Sequence, residues 1–134
     1  MNYRTRLIKY FLPLIILFLA ACDGHVDREW RVDNQASSTL NVKAVETGSK
    51  DTIFKKVEPE ENKIIVITSE DKGNSLPQQA YDVFTYVLIT REEGDTLDFE
   101  FLDNDSWDIY IEKTKSSPDH FIQTYTLIVK DSDF

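Results

Sequence analysis

Short alternating runs of apolar and polar residues, separated by turn residues, constrain this chain more than any other feature. From Trp30 onward, turn signals fall at Gly48, Pro59, Gly73 with Pro77, Gly94, Asn104–Asp105 and Ser117–Pro118. The runs between them are rich in β-branched and aromatic residues, as strands require, and no long window has the helical period of 3.6 residues. The pattern predicts an all-β fold, a single antiparallel β-sandwich of about seven to eight strands, immunoglobulin-like or similar.

The individual runs give expected strand positions. Four runs alternate and should each bury one face, namely 40–44, 97–101, 107–111 and 125–129. Two runs, 64–67 and 83–89, are apolar on both faces, which predicts central strands covered on both sides. Two weaker strands are expected around Trp30 with Val32 and around Ile53 with Val57.

The connections can be predicted in the same way. Residues 91–95 have the length and the glycine, Gly94, of a short hairpin turn. Residues 69–82 form the longest predicted loop, in which Ser75 could cap one helical turn over residues 76–81.

The first 21 residues have the layout of an export signal. Three cations, Arg4, Arg6 and Lys9, precede an apolar run at 11–19 that is shorter than the roughly 20 residues of a spanning helix. The residues Leu19-Ala20-Ala21-Cys22 resemble the lipobox of bacterial lipoproteins. That resemblance implies cleavage between Ala21 and Cys22 and acyl chains on Cys22. The alternatives are an ordinary secretory signal with a chance cysteine, or an uncleaved anchor.

This resemblance divides the chain into three parts: a signal peptide at 1–21, a polar tether at 22–29 that carries the lipid on Cys22, and the β-sandwich at 30–134. Two or more acyl chains hold a protein stably on a membrane. The implied location is the cell envelope, with the outer membrane, at its surface or periplasmic face, favoured. Asp23 resembles an inner-membrane retention signal of enteric bacteria, so the choice of membrane stays open.

Charge narrows the class of partner. Residues 1–21 contain three cations and no acid, so residues 22–134 carry 12 cations against 24 acids, a net charge of −12. Nucleic acid needs clustered Lys and Arg and is not expected as a partner. The expected partners are the membrane, through the acyl chains on Cys22, and an unidentified protein or glycan.

Candidate chemistry is sparse, and neither an enzyme nor a cofactor is expected. One Cys and two His cannot supply the four ligands of a closed Cys/His zinc site. His25 falls in the predicted tether, and His120 is interpreted as a strand-edge residue rather than a catalytic base. The acids Asp103, Asp105 and Asp108 could offer oxygen ligands to Ca²⁺, although a solvated turn between two strands is the simpler interpretation and no metal is expected.

Two tyrosines differ from the other aromatic residues, most of which fall on apolar strand faces. Tyr110 alternates with Ile109 and Ile111 and should point away from the core, and Tyr81 lies in the longest loop. Together they are the candidate surface for a sugar or a peptide.

The mature chain is similar in layout to small uncharacterised lipoproteins of Bacteroidota. The resemblance lies in Glu29-Trp30, residues 83–97, Trp107 and the C-terminal residues 125–134. The triplets 51–53 and 95–97 resemble O-glycosylation acceptors of that phylum. The favoured function is a lipid-anchored, non-catalytic binding module. The alternative is an envelope immunity or inhibitor protein against a basic toxin or enzyme, and a small hydrolase is a third possibility.

Overall fold

The computed structural model describes residues 24–97, 100–116 and 118–134. These residues form seven strands, β1 (His25–Asn34), β2 (Leu40–Glu46), β3 (Thr52–Val57), β4 (Asn62–Asp71), β5 (Phe84–Arg91), β6 (Asp108–Ser116) and β7 (Asp119–Val129). They also form one four-residue helix, α1 (Ala80–Val83), and short 3₁₀ turns at Asn104–Ser106 and Asp131–Asp133. The predicted all-β fold is confirmed. The predicted signal peptide and Cys22 lie outside the described residues.

The strands form two sheets, with the orders β4-β1-β7-β6 and β3-β2-β5. Their inner faces contribute to one hydrophobic core, so the arrangement is sandwich-like. One pairing departs from the expected antiparallel design, because β1 and β7 run parallel along the whole of β1. The first and last strands of the domain are therefore neighbours at the centre of the larger sheet.

Strand β1 begins earlier than expected. It starts at His25 and pairs with β4 on one side and β7 on the other, so residues 25–29 belong to the sheet rather than to a tether. Every second side chain of β1 from Val26 onward is buried, including that of Arg28. A buried arginine interrupts the apolar pattern, which is why the sequence alone placed the start of the strand at Trp30.

The two runs that are apolar on both faces are not central strands, as was expected, but edge strands. Strand β4 lies at the edge of the larger sheet and β5 at the edge of the smaller one. In β4, the register shifts opposite Trp30 and Arg31, and this bulge allows the consecutive residues Ile65 and Val66 both to be buried. In β5, the outer side chain of Tyr86 remains 45% exposed.

Asp98 and Phe99, in the middle of the expected strand at 97–101, lie outside the described residues, and the described residues Leu97, Glu100 and Phe101 are not assigned to a strand. A single bridge joins Thr90 to Thr96, and Gly94 adopts a positive φ of 100°, as the predicted hairpin turn requires. Leu97 and Phe101 are nevertheless buried in the core. The helical turn lies at Ala80–Val83, a few residues later than predicted. None of the described residues forms a helix long and apolar enough to cross a membrane.

Four aromatic side chains form the centre of the core. Trp30 stacks on Tyr125 with ring centroids 4.0 Å apart, and the edges of Phe84 and Trp107 approach Trp30 at 5.2 and 5.1 Å. These residues come from β1, β7, β5 and the position just before β6, so the cluster joins the two sheets. Each aromatic pair of this kind adds about 0.5–1.5 kcal/mol beyond the burial of its area.

A buried polar network fixes the long loop to the larger sheet. The Tyr125 hydroxyl donates to Gln123 Oε1 at 2.7 Å and accepts from the backbone N–H of Gln78 at 2.6 Å. Arg28 Nε–H also donates to Gln123 Oε1, at 3.0 Å. Burial raises the pKa of Tyr125 above its usual value of 10.0. The loop predicted at 69–82 is therefore attached to the core by specific hydrogen bonds.

Candidate ligand-binding surface

The outer face of the three-stranded sheet carries an exposed group of apolar and cationic side chains. On β3, Ile53 and Val57 point inward, so Phe54 and Lys56 point outward. The register places Phe54 beside Lys43 of β2, and Lys43 beside Leu88 of β5. We name this surface the Phe54 face, and it consists of Asn41, Lys43, Phe54, Lys56, Leu88 and Thr90.

The Phe54 face is a shallow, open surface on which the apolar side chains of Phe54 and Leu88 lie among polar residues. It borders a concavity of about 430 Å³, and Phe54 itself is 70% exposed. Tyr86, which pairs with Val45 in the next row of the sheet, extends the apolar area. Apolar side chains exposed together within a polar rim are found at binding surfaces.

The charge of this face is opposite to that of the chain as a whole. The residues of this face include Lys43 and Lys56 and no acidic residue, whereas the chain has a net charge of −9. The Lys43 ammonium lies 5.7 Å from the centroid of the Phe54 ring, within range of a cation–π interaction. Glu92 contacts Lys56 from outside the lining, at 3.4 Å. The face can therefore accept a partner that offers apolar and acidic groups.

The two tyrosines predicted as a ligand surface are both exposed, Tyr81 by 57% and Tyr110 by 65%. Tyr81 lies on α1 and lines a separate depression of about 360 Å³ with Gln79, Glu100, Leu102 and Asp103. Tyr110 lies on β6, in register with Thr124 on the outer face of the larger sheet. The structure does not bring the two tyrosines into one pocket.

The predicted calcium candidates form a turn. The Asp103 carboxylate accepts a hydrogen bond from the backbone N–H of Asp105 at 3.1 Å and so caps the 3₁₀ turn. Asp108 is the first residue of β6. Among the described residues, carboxylate and imidazole ligand atoms from three side chains converge at a different place, and Asp103, Asp105 and Asp108 take no part there.

That place is a cluster formed by His25, Asp27 and His120, whose ligand atoms all lie within 4.8 Å of one another. His25 and His120 are register partners on the parallel strands β1 and β7, and Asp27 lies two residues further along β1 on the same outer face. His25 Nε2 lies 3.1 Å from Asp27 Oδ1, and His120 Nε2 lies 3.0 Å from Asp27 Oδ2. We name this group the His25 cluster.

Two further side chains support the His25 cluster from β4. Asp71 Oδ1 lies 2.9 Å from His25 Nδ1, and the Ser69 hydroxyl donates to Asp27 Oδ1. The hydrogen bonds to Asp71 and Asp27 raise the pKa of His25 above its usual value of 6.5. The hydrogen bond from Ser69, with those from His120 and His25, lowers the pKa of Asp27 below 3.8.

Sequence reasoning missed both surfaces, although a signal existed for one of them. In β3, Ile53 and Val57 alternate toward the core, so Phe54 occupies a position that should face solvent. An aromatic residue at such a position indicates an exposed apolar face. The His25 cluster had no such signal, because it depends on the parallel pairing of two strands about ninety residues apart in the sequence.

The fold and the Phe54 face together define a class, a small two-sheet β module with one exposed apolar and cationic sheet face. No family model, no curated protein and no solved structure matches the chain.

Proposed function

We propose that this protein is a lipid-anchored, non-catalytic binding module of the cell envelope that engages its partner through the Phe54 face. The observation that carries the proposal is the 70% exposure of Phe54 on a sheet face lined by lysines. An aromatic side chain in water loses the stabilisation that burial provides, about 25 cal/mol per Å² of apolar area. A partner that covers Phe54, Leu88 and Tyr86 recovers that free energy.

The chemistry of the face selects the class of partner. The aromatic ring of Phe54 and the side chain of Leu88 fit an aliphatic or aromatic group. Lys43 and Lys56 fit carboxylates, because complementary charge accelerates association and orients the partner. We therefore expect an envelope protein segment, or an acidic glycan, that presents apolar and acidic groups together.

The anchor half of the proposal rests on the lipobox-like residues that end at Cys22. Strand β1 begins at His25, so only Asp23 and Gly24 separate the lipid-bearing residue from the sheet. Three Cα–Cα steps of about 3.8 Å span at most about 11 Å. In this proposal the module sits directly on its membrane, with the outer membrane favoured, and its partner is a component of the same envelope.

The alternative, an inhibitor of a basic toxin or enzyme, follows from the net charge of −12 for residues 22–134. A basic partner requires an acidic docking surface, and the exposed apolar face of this module is cationic. The binding module is therefore preferred, and the inhibitor becomes one outcome of the test.

Photo-crosslinking in living cells tests the proposal. Phe54→p-benzoylphenylalanine should give a discrete adduct upon irradiation, and Lys43→Glu in the same chain should suppress it. The matched control is Tyr110→p-benzoylphenylalanine, which places the same group at an equally exposed position on the other sheet. Circular dichroism verifies that each variant is folded.

The outcomes separate the alternatives. An adduct at position 54 that carries acidic and apolar groups, absent at position 110, supports the proposal. An adduct at position 110 alone transfers binding to the outer face of the larger sheet. A strongly basic protein captured away from position 54 supports the inhibitor, and the absence of any adduct at position 54 contradicts the Phe54 face.

A further inference from the structure

We propose that the His25 cluster is a binding site for a divalent transition-metal ion of the Zn²⁺ type, with His25 Nε2, His120 Nε2 and the Asp27 carboxylate as ligands. The site lies on the outer face of the four-stranded sheet, and the Phe54 face lies on the other sheet. The two proposals therefore stand independently.

The spacing of the ligand atoms fits the proposed ion. Zinc lies about 2.0–2.2 Å from nitrogen and oxygen ligands, so neighbouring ligands of a tetrahedral site are about 3.3–3.5 Å apart. The two contacts between imidazole nitrogen and carboxylate oxygen are 3.1 and 3.0 Å, and all the ligand atoms fall within 4.8 Å. To reach the tetrahedral spacing, these two contacts need to lengthen by only about 0.2–0.5 Å.

The arrangement around His25 favours the correct tautomer. In the neutral imidazole, the tautomer with its proton on Nδ1 donates to Asp71 and leaves the Nε2 lone pair directed at the Asp27 carboxylate. A lone pair facing a carboxylate is repulsive unless a proton or a metal ion lies between them. A carboxylate that holds the distal nitrogen of a histidine ligand is the usual supporting contact in zinc sites.

The scaffold holds the ligands in place before any ion arrives. His25 and His120 occupy directly paired positions on two central strands, which are hydrogen-bonded along the whole of β1. The Ser69 hydroxyl donates to Asp27 and orients its carboxylate. Sites built on strands are positioned more accurately than sites on loops.

The ligand set also selects the ion. Ca²⁺ and Mg²⁺ prefer six or more oxygen ligands, whereas two imidazoles with one carboxylate suit zinc and its neighbours in the first transition row. The three side chains are 32–38% exposed, so an ion can enter from solvent. Three protein ligands leave one tetrahedral position for water or for an external group, unlike the closed four-ligand site that the Cys and His counts exclude.

Titration of the metal-stripped full-length chain in detergent with Zn²⁺ alone tests the inference, using calorimetry in a buffer that does not bind metal. We expect one equivalent to bind to the wild-type chain and a large excess of Ca²⁺ not to displace it. Asp27→Asn and His120→Asn should each weaken binding at least tenfold. Asp71→Asn, which changes the partner of the distal nitrogen of His25, should weaken it by about 10–100-fold.

The matched control is Asp105→Asn, which makes the same change at an exposed aspartate outside the cluster and should leave zinc affinity unchanged. A second readout needs no variant. In ¹⁵N spectra of the wild-type chain, zinc should shift Nε2 of both histidines while His25 Nδ1 keeps its proton.

Two results would overturn the inference. Equal zinc affinity in the wild-type, Asp27→Asn and His120→Asn chains would mean an adventitious surface ion only. Unchanged Nε2 resonances at saturating zinc would exclude the two imidazoles as ligands, even if the variants failed to fold.

Discussion

His25 and His120 face each other across the parallel pair of strands β1 and β7, with their ring centroids 5.2 Å apart. The two residues come from opposite ends of the described chain, and Asp27 contacts both of them. The contact between the two histidines therefore forms only when β1 and β7 are paired. It also makes the outer face of the larger sheet sensitive to protons and, by our inference, to metal ions.

Metal-free protein should show a pH-dependent stability that originates in the His25 cluster. The pKa of His25 is raised in the folded chain, so its contribution is complete below pH 6.5 and is lost as the pH rises through the higher folded value. Urea unfolding in the presence of a chelator, measured from pH 6 to 9, should show stability falling with pH. In His25→Asn, the decrease in stability with pH that His25 causes should disappear. An unchanged dependence of stability on pH would contradict its assignment to His25.

Asp27 should make the stability of the fold depend on pH in the acidic range, in the direction opposite to that of His25. Its pKa is lowered in the folded chain, so its contribution is present above pH 3.8 and is lost as the pH falls through the lower folded value. Ser69→Ala removes the largest cause of this shift. Acid unfolding followed by circular dichroism should therefore move to higher pH in Ser69→Ala. Coincident acid transitions in the two chains would refute this role for Ser69.

The hydroxyl of Tyr125 should stabilise the fold by tying the long loop to the core. Tyr125→Phe leaves the buried Gln123 with one fewer donor and the Gln78 N–H without its acceptor. We expect a loss of about 1–3 kcal/mol in the free energy of unfolding, measured with urea. The control Tyr110→Phe alters a hydroxyl on a 65% exposed side chain and should change stability by no more than about 0.5 kcal/mol.

The Phe54 face should be dispensable for folding. Phe54→Ala removes a ring that is 70% exposed and should change the free energy of unfolding by no more than about 0.5 kcal/mol. Leu40→Ala, in the same sheet but fully buried, should cost about 2–5 kcal/mol. Thermal and urea unfolding of both variants provide the comparison. A loss in Phe54→Ala as large as that in Leu40→Ala would show that the ring packs into the fold.

Much of the fold could be predicted from the sequence, because alternation is a local signal. The strands around Leu40, Trp107 and Tyr125 lie where their apolar residues alternate, and the hairpin turn at Gly94 has the expected backbone. Strand direction and neighbour order are not local properties. The parallel pairing of β1 with β7 could not be predicted, since nothing within either strand encodes its partner.

The error over β4 and β5 has a physical cause that bears on function. A strand that is apolar on both faces is expected to be covered by protein on both faces. In β5, however, the outer face, which carries Leu88 and Tyr86, is exposed to solvent. Pattern alone cannot distinguish a face covered within the chain from one that awaits a partner. The His25 cluster was missed because it depends on the pairing of β1 with β7, and the buried Arg28 also concealed that β1 begins at His25.

Intact mass spectrometry of the protein extracted from membranes tests the central claim, a lipid-anchored module, most directly. A lipid-anchored module should have the mass of residues 22–134 plus acyl chains, and Cys22→Ser should remove the protein from the membrane fraction. A membrane-extracted or secreted chain that carries no acyl group would contradict the anchor, and with it the proposed placement of the module against an envelope membrane.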